Sequence, residues 1–347
     1  MIRLAIVGAG IMARAHAKAF AAIRGCRVAA ACDVLPEKAA AFATEFGIPA
    51  VYSDVDALLA AGDVDAVAVV TPDASHAAVA LKVMARGKHI LCEKPLATNY
   101  ADAATMAAAA RRAGVINMVN LTYRNSAAIQ KAHQLVEQNA LGRVMHVEAS
   151  YLQGWLAGKH WGDWRTSPAW LWRLSTQHGS NGVLGDIGVH ILDFATFAAG
   201  DARSVDCRLR TFHKAADDRI GDYPLDANDS AVITVELAGG ALGTVHTSRW
   251  ATGHANSLRL RVYGDKGALV VDLDQAWDVL QICRGVDVDK LCWKALKCAP
   301  TPTIYQRFIR SIRTGWNDQP DFARGATVQK MLDACIESDR RGVAVAV

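Results

Sequence analysis

Three short stretches of this 347-residue chain have residue types and spacings suited to chemistry. The first, Gly8-Ala9-Gly10-Ile11-Met12-Ala13, has the form G-x-G-x-x-A and follows the apolar run Leu4–Val7. A first Gly permits a tight turn, and a second lets the backbone approach a pyrophosphate. A small third residue lets helix and strand pack closely. Asp33, twenty residues beyond Ala13, supplies a carboxylate that would accept ribose hydroxyls. That carboxylate repels a 2′-phosphate, so NAD is expected and NADP disfavoured. A glycine-rich turn holding no ligand is the bland alternative.

The second stretch is Cys92-Glu93-Lys94-Pro95, behind the apolar run His89–Cys92. Lys94 should emerge at the carboxyl end of a sheet, where open α/β folds bind ligands. It is either an ordinary surface lysine or a cation hydrogen-bonded to a reacting hydroxyl. The third runs from Gly182 to Asp193 and reads as the start of a helix. Asp186, His190 and Asp193 stand at i, i+4 and i+7, on one face. Three readings compete for them: a surface Asp–His pair, a metal site short of its usual ligand set, and an acid–base pair. In the last, Asp186 orients the His190 imidazole and raises its basicity.

Nine residues are Trp, and five of these fall between Trp155 and Trp172, just upstream of that helix. Aromatic faces stack on the C–H faces of sugar rings, and Lys159, His160, Arg165 and Arg173 could bind hydroxyls or an anionic substituent. Equally, these Trp residues could fill a core or bury a subunit contact.

The elements that must position these groups follow from periodicity. Up to about residue 122, short apolar runs alternate with helical stretches: strands at Leu4–Val7, Val28–Cys32, Asp65–Val70, His89–Cys92 and Val115–Leu121, helices at Ala13–Ile23, Pro36 to Gly47, His76–Arg86 and Thr98–Arg112. Strands this apolar are buried on both faces, which demands a doubly wound parallel sheet, an α/β Rossmann domain over residues 1–122. Beyond it, Ala231–Leu237, Ala241–Ser248, Leu258–Val262 and Ala268–Asp272 are joined by tight Gly-containing turns. They predict an α+β domain over 123–347 with an open, mostly antiparallel sheet, closed by helices at Tyr305–Arg313 and Ala323–Arg340.

Composition narrows the class. Basic and acidic residues nearly balance, 38 against 34, with no Lys/Arg block, which excludes a nucleic-acid footprint. A hydrophobic content of 52% excludes a disordered chain. The eight cysteines show no C-x-x-C spacing, and a reducing cytoplasm is their expected setting. Gly8 and Gly10 break the only stretch that could mimic a signal peptide, and no apolar run is long enough to span a membrane.

Along nearly its whole length the sequence resembles the Gfo/Idh/MocA family of dehydrogenases. Gly8-Ala9-Gly10 and Asp33 match that family's cofactor loop, and Thr71-Pro72 with His76 resembles its T-P-x-x-x-H turn. Glu93-Lys94-Pro95 matches its E-K-P motif, and Asp186, His190 and Asp193 match its D-x-G-x-H-x-x-D. Tyr123-Arg124, Trp172-Arg173, Gly239-Gly240 and the turn Gly264–Gly267 are also similar. Ser180-Asn181-Gly182 departs from the usual three glycines, and Asn125-Ser126 stands where an aromatic is common.

The resemblance implies that Gly8, Gly10, Ile11, Met12, Asp33, Thr71, Pro72, His76, Glu93 and Lys94 line an NAD site. It further implies that Lys94, Asp186 and His190 are the catalytic set, with Arg124, Tyr151, Trp172 and Arg173 joining Asp186 and His190 around the substrate. The implied reaction oxidises a secondary alcohol of a sugar, sugar derivative or cyclitol. His190 takes the hydroxyl proton, hydride passes to nicotinamide, and Lys94 stabilises the developing alkoxide. No metal is implied, and the C-terminal sheet would join copies of the chain into a homodimer or homotetramer. Two alternatives are an NAD-requiring glycosidase, with Tyr123 or Tyr151 as an added base, and a non-catalytic dinucleotide-binding regulator.

Overall fold

The computed structural model describes residues 1–347, which form two compact units: Met1–Thr122 with Pro302–Gln329, and Tyr123–Thr301 with Lys330–Val347. In the first, runs of Ile, Leu, Val and Ala too apolar to face water on either side become parallel strands: β1 (Ile2–Val7), β2 (Cys26–Cys32), β3 (Ala50–Tyr52), β4 (Ala66–Val69), β5 (His89–Cys92) and β6 (Asn117–Val119). Helices α1 (Ile11–Ala21), α2 (Pro36–Phe46), α3 (Val55–Ala61), α4 (His76–Ala85) and α5 (Tyr100–Ala113) connect them. The sheet order β3-β2-β1-β4-β5-β6 reverses direction of growth between β1 and β4. Ligands bind in such sheets in the crevice beyond the strand ends at that switch point.

Pro36 opens α2 and Gly47 closes it at φ +63°, as the pattern demands. Helix α5, expected to start at Thr98, is capped by Asn99, whose side chain accepts from the Asp102 N–H. Strand β3 and helix α3 are unanticipated, since a three-residue strand leaves almost no periodicity to read.

The second unit contains α6 (Ala127–Glu137), β7 (Val144–Leu152), α7 (Pro168–Leu171), α8 (Val189–Ala199), β8 (Ala202–Arg210), the small ribbon β9 (Arg219–Ile220) and β10 (Tyr223–Pro224), β11 (Ser230–Leu237), β12 (Leu242–Ser248), β13 (Ser257–Gly264), β14 (Gly267–Asp272), β15 (Val279–Arg284), α9 (Val286–Asp289) and β16 (Lys294–Lys297). Its large sheet is antiparallel except where β7 pairs parallel with β12. Burial alternates along β11 and β12: Ala231, Ile233, Val235 and Val245 face inward, while Val232 and Leu242 lie on the open face. Helices α6 and α8 pack against the inward face.

Two helices and a final strand remain: α10 (Ile304–Thr314), α11 (Phe322–Arg341) and β17 (Val345–Ala346), which pairs with β8. Ile304, Tyr305, Phe308 and Ile309 of α10 enter the core built on Phe20, Leu4 and Ile6. Residues 302–329 therefore belong to the first unit, where the sequence had placed them in the second. An amphipathic helix announces that it has an apolar face, but not which core will receive it.

Candidate active site

Behind β1 the backbone turns at Gly8 with φ +97°, and a Cβ there would lie 2.5 Å from the Val70 carbonyl oxygen. Only Gly fits against the end of β4. At Gly10 an added Cβ would meet nothing within 4 Å, so the loop faces open space there. Gly10 is also the N-cap of α1 and offers no side-chain cap. The first turn, with exposed Ile11 and Met12, thus keeps its N–H groups and the positive end of its dipole for an anion. Asp33 stands at the end of β2 and clasps this loop: its carboxylate accepts from the Ala9 N–H at 2.8 Å and the Leu35 N–H at 3.0 Å. Ala13 is fully buried against the sheet. A cradle with an uncapped helix N-terminus and a carboxylate at its rim fits the pyrophosphate and ribose of a dinucleotide.

Thr71 and Pro72 follow β4, and His76 begins α4 beneath them, fully buried. Its Nδ1 lies 2.9 Å from the Pro95 carbonyl and its Nε2 2.9 Å from the Thr71 carbonyl. Two acceptors require two N–H donors, so the ring is an imidazolium tying the Thr71 turn to the Lys94-Pro95 turn. Burial works against that charge, but Cys92, Asp73 and the Pro95 carbonyl hold its pKa up at about 10. Glu93 is buried and accepts from Asn120 Nδ2 at 2.6 Å, with His16 Nε2 at 2.7 Å. Burial alone would raise its pKa; His16, Asn120 and Lys94 outweigh it and bring the carboxyl down to about 2. Glu93 braces the turn that carries half-buried Lys94.

In the second unit the stretch from Gly182 to Asp193 is not a regular helix at its start. Leu184–Gly188 form a π-helical turn before α8 begins at Val189. Gly185 passes so close to Asn181 that a Cβ would lie 2.2 Å from that residue's own Cβ. Of the three polar residues, Asp186 lies in this wider turn, and His190 and Asp193 lie in α8. Asp186 turns to arginines, with Oδ2 3.1 Å from Arg249 and 4.0 Å from Arg173. His190, 8% exposed, meets the Tyr123 ring edge-on at 4.9 Å between centroids. Asp193 holds Arg124 in a buried two-pronged pair at 2.7 and 2.6 Å, and that guanidinium also covers Phe197 at 3.7 Å. No group of three or more His, Cys, Asp or Glu side chains is arranged to hold a metal ion.

The tryptophan segment divides. Trp155 and Trp164 are buried in a satellite core with Leu156, Leu171, Leu174 and Leu225, and Trp161 stacks on Trp170 at 5.7 Å. Trp172 is 37% exposed, with the Arg173 guanidinium 4.6 Å from its ring centroid. Of the basic residues, Lys159 pairs with Asp163 at 2.7 Å, and Arg165 lies against Trp164 and Asp163. Tyr151 is buried, and its hydroxyl is 2.6 Å from that of Tyr123.

Arg249 and His16 escaped the sequence reading, though each left a signal. Along β12 the inward positions are 243, 245 and 247, so Arg249 continues the buried phase and is a charge where an apolar residue belongs. On α1 the buried stripe is Ala13, His16, Ala17 and Phe20, and His16 is its one polar member.

Residues 2–121 match an oxidoreductase family with an NAD-binding Rossmann fold, and residues 129–270 match the Gfo/Idh/MocA C-terminal domain. Levoglucosan dehydrogenase of Pseudarthrobacter phenanthrenivorans is 27% identical across 97% of this chain and 96% of its own length. D-apiose dehydrogenase of Paraburkholderia graminis is 29% identical across 97% of this chain and 88% of its own. A solved levoglucosan dehydrogenase in complex with NADH and levoglucosan superposes with a TM-score of 0.88, at 27% identity, over 100% of this chain and 99% of that one.

Proposed function

The chain belongs to the Gfo/Idh/MocA oxidoreductase family, and from that premise we propose an NAD-dependent dehydrogenase that oxidises a secondary alcohol of a sugar, sugar derivative or cyclitol. The observation that carries this is the cradle of Gly8 and Gly10 with the Asp33 carboxylate clasped to it. The first-turn N–H groups of Ile11 and Met12 would hold the pyrophosphate and Asp33 the ribose, with Thr71, Pro72, Glu93 and Lys94 shaping the nicotinamide end. When bound, NAD supplies the hydride acceptor.

His190 takes the proton of the substrate hydroxyl as hydride leaves the same carbon. Lys94 stabilises the negative charge that grows on the oxygen. Asp186, fixed by Arg249, keeps a negative charge near the imidazole as it becomes positive. Arg124 acts through Asp193, holding α8 to the turn that bears Tyr123. Trp172 and Arg173 offer a stacking face and a donor to the sugar. The open sheet face bearing Val232 and Leu242 would join copies of the chain, and eight free cysteines suit a reducing cytoplasm. No helix is long and apolar enough to cross a membrane.

The test is purified protein against neutral sugars, sugar acids and cyclitols with NAD or NADP, following absorbance of the reduced cofactor. The expected result is NAD reduction with a neutral polyol. No reduction with any alcohol overturns the assignment.

A further inference from the structure

Within the second unit, a chain of hydrogen bonds ends beside His190, and its direction is set at the far end. Trp155 is 2% exposed, and an indole N–H can donate but never accept. It donates to Gln153 Oε1 at 3.0 Å, which leaves Gln153 Nε2 to donate to Asn256 Oδ1 at 2.8 Å. The Tyr151 oxygen also lies 2.8 Å from Asn256 Oδ1. That carbonyl oxygen has no proton to give, so Tyr151 supplies it. With its single proton committed there, Tyr151 can only accept across its 2.6 Å contact with Tyr123. Tyr123 therefore donates inward, and the remaining lone pair on its oxygen carries no proton outward.

The two phenols differ in exposure. Tyr151 is 3% exposed, whereas Tyr123 is half-buried and its ring is the nearer to His190, at 4.9 Å against 6.4 Å. Burial raises the pKa of both phenols, and the Asp186 charge adds to it, so each keeps its proton at neutral pH.

We propose that Tyr123 is a specificity residue whose oxygen only accepts, selecting substrates with a second free hydroxyl beside the carbinol presented to His190. This rests on the dehydrogenase reading above and narrows its substrate class to vicinal diols. An ether, fluorine or carbonyl at the neighbouring carbon would leave two acceptors facing each other, and the substrate would be rejected.

The experiment takes the best neutral polyol from the panel together with its monodeoxy and monodeoxyfluoro analogues, and measures kcat/KM for wild type and Tyr123→Phe. At one ring position both replacements should cost the wild type about tenfold, and that cost should vanish in Tyr123→Phe. Fluorine accepts but does not donate. A fluoro analogue that outperforms the deoxy analogue at that position in the wild type makes Tyr123 a donor and overturns the inference. An unchanged profile in Tyr123→Phe does the same.

Gln153→Glu replaces the donor Nε2 with an acceptor, turns Asn256 round and reverses the chain. That variant should prefer the fluoro to the deoxy analogue; failure to do so also counts against the inference. Neutron diffraction of the wild type reads the chain without substrate: a deuteron on Tyr123 pointing at Tyr151 supports it, and one pointing outward overturns it. A wild type that oxidises no member of the panel overturns the dehydrogenase reading and this inference together.

Discussion

The groups that would meet the dinucleotide are presented by backbone turns at the ends of strands. Gly8, Asp33, Thr71 and Lys94 follow β1, β2, β4 and β5, and Asp33 is fixed by backbone N–H groups, those of Ala9 and Leu35. The groups of the second unit are held by side chains from distant parts of the sequence. Arg249 meets Asp186, Arg124 meets Asp193, and Tyr151 meets Asn256, across 63, 69 and 105 residues. A site made by backbone can be read locally, because the motif and the geometry are the same few residues. A site made by paired side chains is specified only when the chain is folded, and each pair is a place where one substitution leaves a buried polar or charged partner stranded.

The sharpest way to break this contrast is at the imidazole itself. His190→Ala should lower kcat by about a hundred- to ten-thousand-fold, the range of a positioned acid/base, while NAD affinity in the other unit stays intact. Stopped-flow turnover with a separate cofactor titration separates the two effects. Near-normal turnover would remove His190 from the chemistry.

Next in size are the pairs that hold α8. Arg124→Met strands Asp193 where its side chain is 3% exposed, and should cost about 3–5 kcal/mol of stability by thermal or urea denaturation. The double variant Arg124→Met/Asp193→Leu should recover much of that loss, since an apolar pair of similar volume replaces a buried ion pair at little cost. If the single variant melts with the wild type, the second unit does not depend on this pair and the contrast fails.

At the dinucleotide end of the first unit, the buried pair of Glu93 and His16 departs from this backbone rule, and pH should expose it. Glu93 is held at about 2 against an ordinary 4.5, so its ionised form adds stability that is complete above pH 4.5 and drains away as pH falls toward 2. Glu93→Gln should be less stable than wild type at neutral pH by about 1–3 kcal/mol. The gap should close across that acid window. Melting curves from pH 7 to pH 2.5 check it; a gap that stays constant on acidification would mean the carboxylate is not what the pair contributes.

The same division explains how much of the molecule was legible in advance. The doubly wound parallel sheet followed from apolar runs and from Gly8, Asp33 and Pro36, whose motif positions mark the strand ends and helix starts. The second unit's sheet was legible as hairpins wherever a tight turn marked one, as at Gly264–Gly267. Strand β7 was not, because its partners β12 and β13 lie about a hundred residues away and no turn joins them. Asp186, His190 and Asp193 were found by spacing, yet the π-turn that carries Asp186 was not, because it depends on how Gly185 packs against Asn181. Helix phase is read from sequence only while the helix stays regular.

The smallest expected effect decides what the tryptophans do. Trp164 is core, so its removal would report on packing, whereas Trp155 is core and also orients Gln153 at the far end of the chain that reaches Tyr123. Trp172 is 37% exposed and carries Arg173 against its ring, so its loss opens no cavity. Trp172→Ala should therefore shift stability by less than about 1 kcal/mol, as surface substitutions do. If its ring stacks on the sugar, the variant should raise KM by about two- to tenfold, the worth of an aromatic stacking contact, with kcat nearly unchanged. Trp172→Phe should restore most of that KM, because a smaller aromatic face still stacks whereas Ala offers none. A rise in KM that Phe does not rescue would trace instead to Arg173, released from the indole to move on Asp186. Trp172 would then belong with the side-chain pairs that hold the site rather than with the surface that meets the substrate.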